Sequence, residues 1–351
     1  MQRQKIKGRG QAGRPAGRFQ RRRVDPEPGE TTDSVPETVL RATRIRDIVT
    51  RNQSPDIPFD RSINPYLGCE HGCAYCYARP SHSYLDLSPG IDFETQIFYK
   101  ENAVDSLLAT WRRPGYVVRP ISIGANTDPY QPAEKRLKIT RALLECFLEH
   151  RHPVSLITKG TLIRRDIDLL SALAEIGLVS VAVSIPTAND ALKRTLEPRV
   201  PAAGKRFEVV GELAAAGIPV SVMMAPVIPF LNDCEIESIV RRSADAGARD
   251  LGWILLRLPH ELKALFRDWL DTHYPDKASH VMSLVRQASG GRDYDNRFGI
   301  RQRGTGAYAQ MIARRFDIAR QQAGLGAGRP ARSADCTLFR PPGDQQISLP
   351  F

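Results

Sequence analysis

The sequence contains no apolar run approaching the ~20 residues that a bilayer-spanning helix requires. Nothing in it is expected to cross a membrane. It is also poor in aromatics, at 7% of positions, yet 42% hydrophobic residues over 351 positions suffice for a substantial core. No apolar stretch follows the basic first residues, and Arg22-Arg23 leads into the acidic VDPEPGE, so no secretory signal is expected. With no such signal, the six cysteines argue for reduced thiols rather than a disulfide framework. A soluble, cytoplasmic protein is expected.

Acidic residues are missing from positions 1–23, which carry nine basic side chains. The formal charge of +11 therefore belongs mostly to this arm, and the rest of the chain is left at +2. Rich in Gly, Gln and Arg, the arm is expected to be disordered, because it has too little apolar surface to offset its ordering entropy. Contact with polyanions is the other reading of its charge.

Residues 38–51, TVLRATRIRDIVTR, read as a strand or short helix that pairs with the domain. From residue 97 onward a rhythm sets in. Short β-branched apolar runs at 117–124, 153–160, 178–185, 218–226 and 251–258 are bounded by Gly or Pro, and each is predicted to be a strand buried on both faces. Segments with helical spacing lie between them. Residues 133–150 present Leu137, Ile139, Leu143, Leu144, Cys146, Phe147 and Leu148 as one apolar face. Three later helices are predicted to stop at Gly177, Gly217 and Gly247, the last with Asp233 available as N-cap.

This alternation predicts right-handed βαβ units in a parallel sheet. With a first strand beside the cysteine-rich loop the count reaches about six units, an α/β fold of the partial (β/α)6 TIM-like barrel type. Residues 1–58 are assigned to the basic arm and an approach segment, 59–272 to the core domain, and 273–351 to a helical extension and irregular tail. Ligands of such folds gather at the C-terminal strand ends, which here read Asn126-Thr127-Asp128, Lys159, Ser184, Pro226 and Arg257.

GCEHGCAYCYAR, residues 68–79, spaces Cys69, Cys73 and Cys76 as Cys-x3-Cys-x2-Cys, with no second cysteine or histidine pair to follow. Structural zinc takes four ligands, usually as two separated pairs, and His71 would strain so short a loop by serving the same ion. A four-iron cluster held by three thiolates instead leaves one iron open to an external chelator. The rival reading is a zinc-stabilised nucleic-acid-binding protein that uses its basic arm without catalysis. Cys146 reads as a core thiol, while Cys234 and Cys336 are poor evidence for a second cluster. Glu197 and Arg199 either reach substrate or form a solvated ion pair. Arg286, Arg292, Arg297, Arg301 and Arg303 read either as contacts to a phosphate-bearing substrate or as charged surface.

With Tyr75 immediately before its last cysteine, the loop resembles that of the radical S-adenosylmethionine (SAM) superfamily. INPYLGCEHGCAYCYARP, ANTDPYQPAE, LITKG, LEPRVPAAGKRFEVVGELAAAGIPV and APVIPFLND are similar, in order and spacing, to its spore photoproduct lyase-like branch over about residues 60–260. The resemblance implies a radical SAM core fold and an enzyme whose cofactors are a [4Fe-4S] cluster on Cys69, Cys73 and Cys76 and S-adenosyl-L-methionine. One electron, from a reductant of the flavodoxin or ferredoxin type, would break a sulfur–carbon bond of SAM and release a 5′-deoxyadenosyl radical that takes hydrogen from a substrate. Contacts to SAM are implied at Tyr75, Tyr77, Thr127, Asp128, Lys159 and Ser184. Spore photoproduct lyases carry a further cysteine, a hydrogen donor to the product radical, where this chain has Ala125. Lesion repair by that route is therefore not implied, and the substrate is left open, nucleic acid included.

Overall fold

The computed structural model describes residues 6–19, 36–326 and 334–343. They form strands β1 (Val39–Thr43), β2 (Val49–Arg51), β3 (Arg61–Ile63), β4 (Tyr66–Leu67), β5 (Gln96–Lys100), β6 (Ile121–Ile123), β7 (Val154–Thr158), β8 (Val179–Ser184), β9 (Val220–Val227) and β10 (Asp250–Leu255). The main sheet runs β10-β9-β8-β7-β6-β3-β2. Its strands from β3 to β10 are all parallel, and β2 adds an antiparallel edge against β3. These are the six parallel units expected of a partial (β/α)6 barrel. Their apolar, mostly β-branched side chains fill the space between sheet and helices: Ile121, Ile123, Val154, Leu156, Val181, Val183, Val220 and Val222 are all buried in one core.

The five expected apolar runs each hold a strand; β6, β7 and β8 lie within their runs, while β9 runs one residue past its end and β10 starts one residue earlier. Gly177, Gly217 and Gly247 have φ of +71°, +77° and +88° just past the helices Ile167–Glu175, Ala203–Ala215 and Ile236–Asp245. These left-handed positions favour glycine and stop each helix. Two local readings are corrected. Residues 133–150 form two helices, Glu134–Leu137 and Ile139–Glu149, parted at Lys138 with φ +54°. The buried Glu134 carboxylate causes the break, because it accepts the N–H of Thr140 at 3.0 Å and of Arg141 at 3.4 Å, early donors of the second helix. Asp233 caps nothing: its Oδ2 accepts from the Tyr308 hydroxyl at 2.6 Å and ties this corner to the helix Gly306–Gln322.

A second, small sheet, ordered β1-β5-β4, stands beside the barrel. It carries the cysteine loop, which starts one residue past β4. The segment 38–51 thus supplies a strand to each sheet. The arm is also partly docked. Residues 6–19 run along the cysteine loop, with the N–H groups of Gly10 and Gln11 on the Glu94 carboxylate at 3.1 and 3.0 Å and the Gly13 carbonyl accepting from Ile91 N at 3.1 Å. The other residues of the expected arm, 1–5 and 20–23, lie outside the described residues.

Helices Leu262–His273 and Pro275–Ala288 build a second core. Leu265, Phe266 and Trp269 there pack with Leu192, Leu196 and Ile228, and with Cys73, Ala74 and Tyr75 of the cysteine loop. The late arginines are mostly engaged within the chain: Arg297 with Asp295 at 2.6 Å, Arg301 with Asp56 at 2.6 Å, Arg286 with Asp293 at 3.5 Å, and Arg303 over Trp253. Among the described residues no helix is long and apolar enough to cross a membrane.

Candidate functional site

The cysteine loop is fixed by its backbone. Cys69 N donates to Phe93 O at 2.9 Å, Ala74 N to Leu196 O at 2.9 Å, Glu70 N to Gln131 Oε1 at 3.0 Å, and Gln131 Nε2 returns to Gly68 O at 3.2 Å. Arg79, fully buried, donates from Nε to Cys73 O at 2.9 Å and pairs with the equally buried Glu94 at 2.5 Å. Gly72 is obligatory: its φ is +64°, and a Cβ there would lie 2.5 Å from Glu94 Oε2. Local spacing gave no sign of Arg79 or Glu94, whose partners are distant in sequence.

The loop faces a cavity of about 180 Å³ at the C-terminal ends of the parallel strands. All nine residues expected at a cofactor site line it: Cys69, Cys73 and Cys76 from the loop, Tyr75 and Tyr77 beside them, Thr127 and Asp128 after β6, Lys159 after β7 and Ser184 at the end of β8. The other strand ends named from sequence, Asn126, Pro226 and Arg257, line it too, as does Ala125. Cys146, Cys234 and Cys336 do not.

The two tyrosines are anchored differently. The Tyr75 hydroxyl donates to the Glu197 carboxylate, and that of Tyr77 to the Ala125 carbonyl. Glu197 is not solvated but buried: its Oε2 lies 2.8 Å from Arg206, whose other arm donates to Ser184 O at 2.7 Å. Burial alone would raise the Glu197 pKa, but Arg206, Lys159 and the Tyr75 hydroxyl hold it below its ordinary value. Arg206 is a positioning residue that sequence reading missed, because a buried arginine on an otherwise amphipathic helix carries no local mark. Arg199 pairs with Glu70 at 3.3 Å on the loop.

Asp128 turns inward upon the protein. Oδ1 accepts from Thr158 Oγ1 at 2.6 Å and Tyr130 N at 2.9 Å, while Oδ2 accepts from Lys159 N at 2.7 Å and lies 3.2 Å from His71 Nδ1. Against its burial, His71 and these donors bring its pKa down to about 2. With both oxygens taken, Asp128 ties two strand ends to the loop rather than offering a free ligand. The Thr127 hydroxyl donates to Tyr66 O at 3.0 Å and keeps its lone pairs. Lys159 Nζ stands 5.9 Å from the Tyr75 ring and, among the described residues, makes no hydrogen bond or ion pair. Burial would lower the Lys159 pKa, yet Cys73, Glu197 and Asp128 raise it.

The donor set fits an open iron–sulfur cluster. Three buried or half-buried thiols share one cavity wall.

Comparison with known proteins agrees with this geometry. The Radical SAM superfamily model matches residues 63–242. An uncharacterized protein of Mycobacterium tuberculosis H37Rv is 37% identical over 233 residues, 66% of this chain and 68% of that protein. An uncharacterized protein of Methanocaldococcus jannaschii is 31% identical over 173 residues, 49% of this chain and 62% of its own length. Among solved structures, a spore photoproduct lyase double mutant with bound AdoMet and dinucleoside spore photoproduct superposes with a TM-score of 0.60 at 17% identity, covering 86% of this chain and 85% of that one. The matched region takes in the cysteine loop and four of the parallel strands that face it, β6 to β9, and on that evidence the chain belongs to the radical SAM superfamily, with a fold shared with spore photoproduct lyase.

Proposed function

We propose that the protein is a cytoplasmic enzyme that cleaves S-adenosyl-L-methionine reductively at a [4Fe-4S] cluster held by Cys69, Cys73 and Cys76. The observation that carries this reading is the gathering of three thiols and a lysine, without an ion pair among the described residues, on one cavity at the strand ends. When bound, the cluster and SAM together supply a 5′-deoxyadenosyl radical for hydrogen abstraction.

The chain's own residues prepare the site for that chemistry. Lys159, which makes no ion pair among the described residues, pairs with the methionine carboxylate. Ser184 and Thr127 meet the amino or ribose groups with hydroxyl oxygens. The rings of Tyr75 and Tyr77 flank the cofactor and, with Met223 and Ile254, exclude water. Asp128 holds the Lys159 backbone in place, and the Glu197–Arg206 pair holds Tyr75 and the Ser184 carbonyl. A one-electron donor of the flavodoxin or ferredoxin type completes the system. Ala125 presents no thiol to the cavity, so repair of a spore photoproduct by thiol hydrogen donation is not proposed.

Anaerobic reconstitution tests the reading. About four irons and four sulfides per chain are expected, together with an EPR signal that shifts on adding SAM and slow formation of 5′-deoxyadenosine. Cys73→Ala abolishes both the shift and the product. A colourless protein that retains one zinc after reconstitution refutes the proposal in favour of a zinc-stabilised nucleic-acid-binding protein.

A further inference from the structure

Arg257 lies two residues beyond β10 on the wall of the same cavity. Its guanidinium carbon stands 5.0 Å from the centre of the Tyr77 ring, and its Nε is buried without a partner. Among the described residues it forms neither a hydrogen bond nor an ion pair. Most other cavity-side or loop-side arginines are spent: Arg79 on Glu94, Arg206 on Glu197, Arg199 on Glu70, Arg301 on Asp56. The side chain is half-buried, and a buried N–H left idle as its Nε is costs free energy and calls for an acceptor.

SAM does not supply that acceptor, since its one carboxylate is taken by Lys159 in the reading above, on which this inference rests. We infer that Arg257 is an anion subsite for the substrate: the molecule that gives up hydrogen carries an oxyanion, a carboxylate or a phosphate group, which the planar guanidinium receives through paired N–H donors. The fork of arginine matches both groups in a way that a lysine cannot. Met223, Ile254, Leu255 and Pro226 give the adjoining wall an apolar surface for the part of the substrate that reacts.

The test uses anaerobically reconstituted protein, cluster oxidised and SAM saturating, titrated in a calorimeter with inorganic phosphate and, separately, with acetate. At least one of the two anions is expected to bind, and the one that binds names the group on the substrate. Arg257→Gln should weaken that binding by about tenfold or more, the loss of a charge-assisted contact, and Arg257→Lys by less. Should Arg257→Gln melt early, Arg257→Lys still decides, because it keeps the charge and must retain part of the affinity. Unaltered anion binding in Arg257→Gln, or none in the wild-type protein, overturns the inference. SAM binding, measured in the same preparations, should drop in Lys159→Gln. Protein that binds SAM but neither anion removes this subsite alone, whereas protein that holds neither cluster nor SAM removes the proposed function.

Discussion

The Glu197–Arg206 pair offers a direct measure of how the site is held. Both side chains are at most 1% exposed, and Nη2 of Arg206 lies 2.8 Å from Glu197 Oε2. Glu197→Gln keeps the shape and still accepts the Tyr75 hydroxyl, so it deletes a charge and little else. Arg206 is then left buried with the Ser184 carbonyl, at 2.7 Å, as its remaining partner. Removing one member of a buried pair costs about 3–5 kcal/mol, because the surviving charge is uncompensated. Against a total stability on the order of 5–15 kcal/mol, the shift is large.

Urea unfolding followed by circular dichroism should therefore show the midpoint moved down at unchanged slope, with a free-energy loss of about 3 kcal/mol or more. The double variant Glu197→Gln/Arg206→Met removes the orphaned charge and is expected to recover a substantial part, giving a coupling energy within the ~0.5–3 kcal/mol range of contacting residues. If Glu197→Gln falls within about 0.5 kcal/mol of wild type, the pair is not a desolvated one, and the account of how Tyr75 and β8 are fixed fails.

Two further perturbations probe a buried histidine and the docked arm. His152 is buried, stacked on Trp111 at 4.8 Å, with Nδ1 facing Pro153 O at 3.0 Å and Nε2 facing the Tyr116 hydroxyl at 2.8 Å, and burial lowers its pKa to about 4. Between pH 6.5 and 4 the unfolded imidazole binds a proton that the folded one refuses, so stability should fall by about 2 kcal/mol from pH 7 to pH 5; a His152→Gln variant with the same pH slope in urea melts refutes this. At the docked arm, a Cβ on Gly10 would sit 1.7 Å from the Gly72 carbonyl oxygen. Gly10→Val should free residues 6–19 and speed tryptic cleavage at Arg9, Arg14 and Arg18 by about tenfold or more, as lost docking energy raises the open population; unchanged cleavage shows that the contact does not hold the arm.

The positions of the cavity residues were legible because each sits at a fixed point of a repeating unit. A β-branched run bounded by Gly or Pro marks a buried strand, and the residue after it marks the ligand-facing end. Lys159, Ser184 and Thr127 follow from that rule, and Cys69, Cys73 and Cys76 from their spacing. What was not legible is the set of long-range pairings that holds those ends still. Arg79 with Glu94 and Arg206 with Glu197 join groups that no helix or strand period relates, and Glu134 acts on Thr140 and Arg141 across a break that helical spacing does not show. Lys138, in the left-handed region between two good helical stretches, follows from Glu134 and not from its own propensity. The arm shows the same limit most sharply. Composition predicts disorder by counting apolar area, but residues 6–19 are held largely by polar contacts: backbone N–H groups on a buried carboxylate, Arg9 on Pro36 O at 2.7 Å, and Arg18 on Glu261 at 2.9 Å. A glycine-rich basic segment reads as free whenever its anchor is a buried acid elsewhere. Here the readable sign was on the other side of the contact: Glu94, set between Phe93 and Thr95 in a segment otherwise destined for the interior, is a carboxylate that burial would leave unsatisfied without donors brought from outside.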